Sequence, residues 1–269
     1  MKTQSPSAST SSDPGVNALK PIRITKLKTP VQGYDGGLPV AAVEGGVEFL
    51  VPAWLVMKAG DLLEVFWGDL QASVWSKVIE PEDENELIKG VIDEGHIRRG
   101  EAYPVFYRVT RPFQEPEPTP LQRFFVKLDR PGGFDDDQST PGNQNLRYHI
   151  PKSIIDNGVG PEEAAAGVPI TILPYPFMRI NDRVKVAWGS VEKIVLVEQK
   201  HIDEPDGNPL VVIIDQPLIE EAGDSAGVMV MHQVIDECGN YPDPRSLWSA
   251  PTLVVVDLKG NRLDAPIVL

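Results

Sequence analysis

The chain has 269 residues, with 25 basic against 39 acidic side chains and a formal net charge of −14 at pH 7. This acidity argues against nucleic-acid and anionic-membrane partners, because both require a positive protein face. The 23 glycines and 26 prolines leave little room for long helices, whereas 41% hydrophobic residues suffice for a packed core. Length and composition therefore predict an acidic, β-rich protein of about two domains.

The N-terminal segment 1–19 is rich in Ser, Thr and Pro, a composition that predicts a disordered lead-in. No segment has the apolar core of a secretory signal or the length of apolar sequence that a membrane span needs. We therefore expect no membrane insertion. Localisation stays open between the cytoplasm and export to the cell surface by a route that reads no N-terminal signal, as does whether the chain is part of a longer protein.

An internal repeat organises the rest of the chain. Val47 to Met57 is similar to Val168 to Met178, and each segment is followed by an aspartate and a strand that ends in Trp-Gly. The methionines (178 − 57) and the tryptophans (188 − 67) are both 121 residues apart. The offset grows from 121 to 128 further along the repeat, as small loop insertions would produce, and this similarity predicts two diverged copies of one structural unit.

Within each copy the hydrophobic period is two, which indicates half-buried strands. Arg183 to Trp188 alternates polar and apolar residues, and about seven such strand candidates per copy predict an all-β chain of two tandem Greek-key β-sandwiches. The predicted core includes Trp67 and Trp188, and Pro161 to Ala166 is the only stretch that we expect to be helical. The predicted boundaries are 20–130 for the first domain, 131–158 for a linker and 159–269 for the second domain, with a possible contact between the two domains.

A family resemblance supports this fold. Asp236-Glu237-Cys238-Gly239-Asn240, the serines that follow and the strand Thr252 to Asp257 resemble the closing F–G hairpin of tandem bacterial immunoglobulin-like repeats in large Gram-negative surface proteins. Ile154 to Val159 resembles the connectors between such repeats. The first copy departs from the pattern at Pro112 to Pro120. The resemblance implies immunoglobulin-like domains with an adhesion or scaffold role, and it carries no catalytic residues.

Three aromatic side chains are candidate ligand contacts. Phe66 lies on the outward side of its strand, and an exposed patch with Trp75 would offer a contact surface. Trp54 aligns with Tyr175 in a proline-flanked segment. Because sugars stack on exposed aromatic rings, a carbohydrate-binding protein is the alternative function, while packing in the core is the competing structural interpretation.

Calcium is the metal to consider, because it binds several carboxylate and carbonyl oxygens. Asp135, Asp136 and Asp137 lie in the predicted linker and are candidate calcium ligands, although no EF-hand spacing surrounds them and a polar linker is the other interpretation. The four histidines have no metal-binding spacing, and the single Cys238 cannot form an internal disulfide or a thiolate zinc site.

Gly223 to Gly227 matches the G-x-S-x-G pattern of a hydrolase nucleophile, with Ser225 at its centre. A strand rather than a helix follows Ser225, and no acidic residue lies between it and His232, so we interpret the motif as a turn that enters a strand. The sequence thus predicts a non-enzymatic adhesion, binding or scaffold module for a protein or glycan surface. A serine hydrolase is the remaining alternative.

Overall fold

The computed structural model describes residues 19–260 except residue 138, so almost all of the lead-in predicted for 1–19 lies outside the described residues. The chain forms two compact units. Unit 1 comprises the described residues up to Leu38 together with Ala42–Val126, and unit 2 comprises Pro39–Ala41 together with the chain from Lys127 onward.

Unit 1 contains one three-stranded sheet, in the order β1-β3-β6, and one larger sheet, in the order β2-β9-β7-β4-β5 with β8 beside β7. Strand β2 runs parallel to β9, and the other pairs are antiparallel. The strands are β1 (Arg23–Ile24), β2 (Gly36–Leu38), β3 (Val47–Val51), β4 (Leu62–Trp67), β5 (Ser73–Val78), β6 (Ile88–Ile92), β7 (Gly100–Thr110), β8 (Glu117–Pro118) and β9 (Gln122–Val126). Helix α1 (Val40–Val43) lies between β2 and β3 in the sequence.

Unit 2 has seven described strands in two antiparallel sheets, β10-β11-β14 and β13-β12-β15-β16. Its elements are β10 (Tyr148–His149), α2 (Lys152–Asn157), α3 (Pro161–Ala166), β11 (Val168–Ile172), β12 (Arg183–Trp188), β13 (Val191–Leu196), α4 (Gln199–Asp203), β14 (Leu210–Ile214), α5 (Gln216–Ala222), β15 (Ser225–Ile235) and β16 (Thr252–Val256). The three-stranded and the four-stranded sheet contain strands that are not consecutive in the sequence, so the chain passes between the two sheets. This is the arrangement of an immunoglobulin-like Greek-key sandwich.

Both sheets of unit 2 contribute to a single core. The alternate valines and isoleucines of β11 and β14 pack in one cluster with those of β12, β15 and β16, and Trp188 at the end of β12 is fully buried among them. Each such side chain contributes roughly 1.5–3 kcal/mol through burial. The period-two alternation in the sequence therefore corresponds to one buried face per sheet, and the predicted all-β sandwich fold is confirmed.

The two units share their strand register. Trp67 pairs with Val105 across β4 and β7, and Trp188 pairs with Val230 across β12 and β15. Tyr107 on β7 and His232 on β15 come two residues later, and both are buried. The backbone N–H of Tyr107 donates to Thr119 Oγ1 at 3.2 Å, and the backbone N–H of His232 donates to Ser249 Oγ at 2.9 Å. The repeat thus extends from the sequence to individual hydrogen bonds.

Two local expectations need correction. Pro161–Ala166 is helical as α3, but α2, α4 and α5 are further short helices of unit 2 that strand periodicity does not reveal. The segment 131–158, interpreted from the sequence as a linker, belongs to unit 2. Its residues Leu146, Ile150 and Ile154 are buried in the core of that unit, because they supply apolar contacts that the strands alone do not provide.

The buried His232 should make the free energy of unfolding decrease as the pH is lowered. Its ring is buried, neither nitrogen has a hydrogen-bond partner, and burial lowers its pKa to about 3. The unfolded chain takes up this proton below pH ~6.5 whereas the folded chain does not. The free energy of unfolding should therefore decrease from about pH 6.5 towards pH 3 by up to about 1.4 kcal/mol per pH unit from this residue.

Chemical denaturation of His232→Leu across this pH range should show a shallower decrease than the wild type, because other titrating groups are common to both proteins. The exposed His149 provides the control variant, His149→Leu, which should keep the wild-type slope. An unchanged slope in His232→Leu would contradict this assignment.

Candidate functional site

The loop before β4 in unit 1 and the loop before β12 in unit 2 have the same backbone conformation. We call residues 54–61 and 175–182 the aromatic–aspartate loops. Val56 and Phe177, 121 positions apart, have φ values of 55° and 60°, and Gly60 and Asn181 have φ values of 95° and 67°. Left-handed backbone is costly for a β-branched residue such as Val56 unless its surroundings hold it in place.

A buried carboxylate organises each loop. Trp54 Nε1 donates to Asp61 Oδ2 at 2.9 Å, and Tyr175 Oη donates to Asp182 Oδ2 at 2.9 Å. The same oxygens accept the backbone N–H of Lys58 at 3.3 Å and of Arg179 at 3.0 Å. Both carboxylates are buried. The aromatic residue seven positions before the aspartate is thus a hydrogen-bond donor, which explains why Trp can be replaced by Tyr.

In unit 2 the carboxylate of Asp182 belongs to a larger buried polar cluster. Lys127 is 1% exposed, while Asp182 and Asp236 are fully buried. Lys127 Nζ lies 3.3 Å from Asp236 Oδ2 and 3.6 Å from Asp182 Oδ1. Neither Lys127 Nζ nor Asp182 Oδ1 has a hydrogen-bond partner. Two carboxylates therefore face one ammonium group in a site without solvent access.

The rest of this cluster comes from the Asp-x-x-Gly-Asn turn. Asn240 donates through its backbone N–H to Asp236 Oδ1 and through Nδ2 to Asp236 Oδ2, both at 2.9 Å. Its Nδ2 also donates to the carbonyl oxygen of Lys127 at 3.0 Å, and its Oδ1 accepts the N–H of Val40 at 2.8 Å. The turn that resembles an F–G hairpin therefore holds the segment at which the chain enters unit 2.

Burial sets the protonation behaviour of this cluster. Desolvation raises the pKa of Asp182 to about 6, against the opposing effects of Lys127 and of the hydrogen bonds from Arg179 and Tyr175. Burial, followed by the nearby Asp182 charge, raises the pKa of Tyr175. Burial likewise raises the pKa of the Cys238 thiol to about 12, so this cysteine stays a protonated thiol at neutral pH.

Each aromatic–aspartate loop carries two exposed apolar side chains. Leu55 and Val56 are 62% and 66% exposed in unit 1, and Phe177 and Ile180 are 48% and 38% exposed in unit 2. The fold thus fixes their loops from beneath while leaving their side chains in solvent. Sequence reasoning missed these residues, although their shared position in the repeat is a signal that could have identified them.

In unit 2 Phe177 lines a cleft of about 240 Å³ with Phe134, Arg130 and Asp243. The guanidinium of Arg245 lies over the Phe134 ring at 4.2 Å. Arg245 also donates to Asp243 and thereby lowers the pKa of that carboxyl. The cleft therefore combines exposed aromatic carbon with fixed charges of both signs.

The structure separates the three predicted ligand-contact aromatics. Phe66 is fully buried and stacks on Phe106 at 4.5 Å, with Arg108 over its ring at 4.7 Å. The expectation that its outward parity exposes it is wrong, because its neighbours cover that side of the strand. Trp54 is also buried, against Asp61. Trp75 is half-buried and meets Phe49 edge to face at 5.1 Å.

The candidate calcium ligands do not converge. Asp135 is buried and accepts Ser246 Oγ at 2.9 Å, whereas Asp137 is exposed and accepts the N–H and hydroxyl groups of Ser139 and Thr140. Asp136 is exposed. Among residues 19–260 other than 138, no group of three His, Cys, Asp or Glu side chains has the arrangement of a metal site. Calcium at these residues stays a prediction.

Gly223 is the C-cap of α5 and Ser225 begins β15 two residues later, so the motif leads from a helix into a strand rather than from a strand into a helix as in a nucleophile elbow. Its Oγ accepts the backbone N–H of Gly227 at 3.1 Å, and His232 follows on the same strand with a buried, unpaired ring. A nucleophilic serine needs a base within hydrogen-bond reach, and the hydrogen bonds of the described residues do not join Ser225 to a histidine.

Comparison with known proteins adds little to this picture. No family model matches the sequence, and no curated protein matches it. The chain is similar at 14% identity and a TM-score of 0.33 to a solved part of a 1.5-MDa bacterial ice-binding adhesin, over 90% of this chain and 66% of that one.

It is also similar at 12% identity and a TM-score of 0.40 to fibronectin(III)-like modules of Clostridium thermocellum CbhA, over 92% of this chain and 99% of that one. The human OSCAR ligand-binding domain matches at 12% identity and a TM-score of 0.32, over 88% of this chain and 99% of that one. The strand order of each unit, rather than these likenesses, defines the class: an all-β protein of immunoglobulin-like sandwiches. Within the described residues, no helix is long and apolar enough to cross a membrane.

The aromatic donors should matter in both units. Tyr175→Phe removes one hydrogen-bond donor and leaves a buried carboxylate less satisfied, so it should lower the free energy of unfolding by about 1–3 kcal/mol. Trp54→Phe removes the equivalent donor and also part of a buried ring, so it should cost at least as much. Guanidinium denaturation followed by fluorescence and circular dichroism would measure this loss. Trp75→Phe, at a half-buried position, is the control and should cost less. Equal effects of all three variants would argue against the proposed role of the donors.

Proposed function

We propose that the chain is a non-enzymatic binding module of two immunoglobulin-like sandwiches, and that each unit contacts its partner through its aromatic–aspartate loop. The observation that carries this proposal is the exposure of Val56 and Phe177 at equivalent positions of two rigidly supported loops. Binding residues are commonly displayed on loops that a rigid scaffold positions. Val56 and Phe177 each combine a left-handed backbone with an exposed apolar side chain, and contact with a partner is the use that we propose for them.

A protein surface is the partner that this chemistry favours. Leu55, Val56 and Ile180 are aliphatic, and aliphatic side chains gain most by burial against other apolar groups. The net charge of −14 favours a partner surface with neutral or positive character. Adhesion or scaffolding at a bacterial surface is the role we propose on this basis, and the resemblance of Asp236 to Asn240 to an F–G hairpin supports it.

A glycan is the second candidate, and one observation favours it. Phe134 and Phe177 bring two exposed aromatic rings to one cleft beside the charged groups of Arg130 and Asp243. Ligand sites combine such apolar surfaces with a few polar groups that fix orientation. The rings predicted from the sequence for this role, Phe66 and Trp54, are buried and therefore do not serve it.

Parallel probing of an extracellular-protein array and a glycan array with the labelled chain would test the proposal. We expect specific binding on the protein array and at least a tenfold loss of affinity in the double variant Val56→Ser, Phe177→Ser, because burial of two large apolar side chains is worth more than about 1.4 kcal/mol. Surface plasmon resonance on the protein that binds would give the affinities.

The matched control is Leu253→Ser. Leu253 lies on β16 and is 47% exposed, almost the same as Phe177 at 48%, but it is outside the loops. Binding that survives the loop variant and is lost in Leu253→Ser would overturn the proposal. Binding confined to the glycan array and lost in Phe134→Ser would establish the second candidate instead.

A further inference from the structure

The buried lysine of unit 2 is surrounded by more negative than positive charge. Lys127 contacts both Asp182 and Asp236, and all three side chains are buried. Buried ions are expensive unless their partners satisfy every hydrogen-bonding position. Lys127 Nζ and Asp182 Oδ1 are both left without a hydrogen-bond partner, although they lie only 3.6 Å apart.

The two carboxylates have different surroundings. Both oxygens of Asp236 accept hydrogen bonds from Asn240. Asp182 receives both of its donors, the Tyr175 hydroxyl and the Arg179 backbone N–H, on Oδ2 alone. Its other oxygen, Oδ1, is free and is directed at the amine.

We propose that Lys127 and Asp182 condense to an amide cross-link, with Asp236 as the proton relay. The Nζ–Cγ bond forms, the Cγ–Oδ1 bond breaks, and Oδ1 departs as water. Two of the three ammonium protons end on that water, and Asp236 accepts and returns a proton and is regenerated. No oxidant, reductant or cofactor is required.

The geometry supplies what such a step needs. The negative charge of the tetrahedral intermediate develops on Oδ2, where Tyr175 and Arg179 already donate two hydrogen bonds. Asp236 Oδ2 lies 3.3 Å from Nζ, within reach for proton transfer. The fold holds amine and carboxyl together, which replaces a bimolecular encounter, and burial keeps water from reversing the bond.

The protonation of Asp182 points the same way. Because burial raises its pKa to about 6, a fraction of the carboxyl groups carry a proton near neutral pH. A proton that passes from the Lys127 ammonium through Asp236 to the Asp182 carboxyl leaves a neutral amine that can attack, and a protonated carboxyl loses water more readily than a carboxylate does. Asp61, its counterpart in unit 1, bonds to Trp54 but has no lysine side chain among its partners in the described residues, so we expect no cross-link there.

The cross-link would protect unit 2 against pulling. Lys127 is the residue with which the long segment of unit 2 begins, and Asp182 directly precedes β12. Tension that enters at Lys127 would pass through the amide to Asp182, and the residues between them would not extend. This property suits a module that holds a partner under load.

Mass spectrometry of the purified, denatured full chain tests the proposal directly. We expect an intact mass lower than the sequence mass by one water, and a protease digest that contains a branched peptide joining Lys127 to Asp182. We expect no loss of water in three variants, whose intact masses should equal the masses of their own sequences: Lys127→Arg, Asp182→Ala and Asp236→Asn. Circular dichroism of each variant would show whether it folds.

Asp61→Ala is the matched control and should retain the loss of water, because Asp61 is the equivalent buried aspartate without the lysine. A wild-type chain with the full sequence mass would overturn the proposal, whether or not any variant folds. A branched peptide through Asp236 rather than Asp182 would equally overturn the assignment. Neither result bears on partner binding by the loops.

Single-molecule pulling supplies a second, independent readout. Unfolding of unit 2 in the wild type should release about 190 Å less chain than in Lys127→Arg, since the cross-link shields some 55 residues from extension. Equal extensions in the two proteins would contradict the cross-link.

Discussion

The constraint on which the folding of unit 2 depends is the burial of the Lys127 ammonium between the carboxylates of Asp182 and Asp236, before any cross-link forms. Water cannot solvate this charge, so the fold must hold Asp182 and Asp236 within about 4 Å of it. Asp182 in turn anchors the loop before β12, and Asp236 anchors the turn after β15. One side chain thus ties the entry of the chain to a loop and a turn that lie far apart in the sequence.

Unit 1 shows the same design with one element changed. Asp61 supports its loop through Trp54 and Lys58 N–H just as Asp182 supports its own through Tyr175 and Arg179 N–H. The divergence at the aromatic position preserves the donor and changes only its size. Positions buried beneath the loops have therefore kept their chemistry, whereas Val56 and Phe177 above them share exposure and backbone conformation but differ in side chain.

Much of the fold was predictable because a period-two pattern reports directly which face of a strand is buried. Trp67 and Trp188 were recognisable as core residues for this reason, and the spacing of 121 residues that they share with the methionines Met57 and Met178 indicated two copies. Phe66 shows the limit of the argument: its parity is outward, yet Phe106 and Arg108 cover it. The alternation along a strand shows which side of the sheet a residue faces. Whether that side is exposed depends on the side chains of other strands that cover it.

The sequence by itself determined the class of fold, the repeat and the pairs of equivalent positions, because these depend on local alternation and on similarity along the chain. Only the tertiary structure decided that Lys127 is buried between Asp182 and Asp236, and that segment 131–158 helps to form a core. These are contacts between residues that are distant in the sequence, and no periodic pattern encodes them. The candidate binding loops have the same origin, since the exposure of Val56 and Phe177 follows from the carboxylates that hold the chain beneath them.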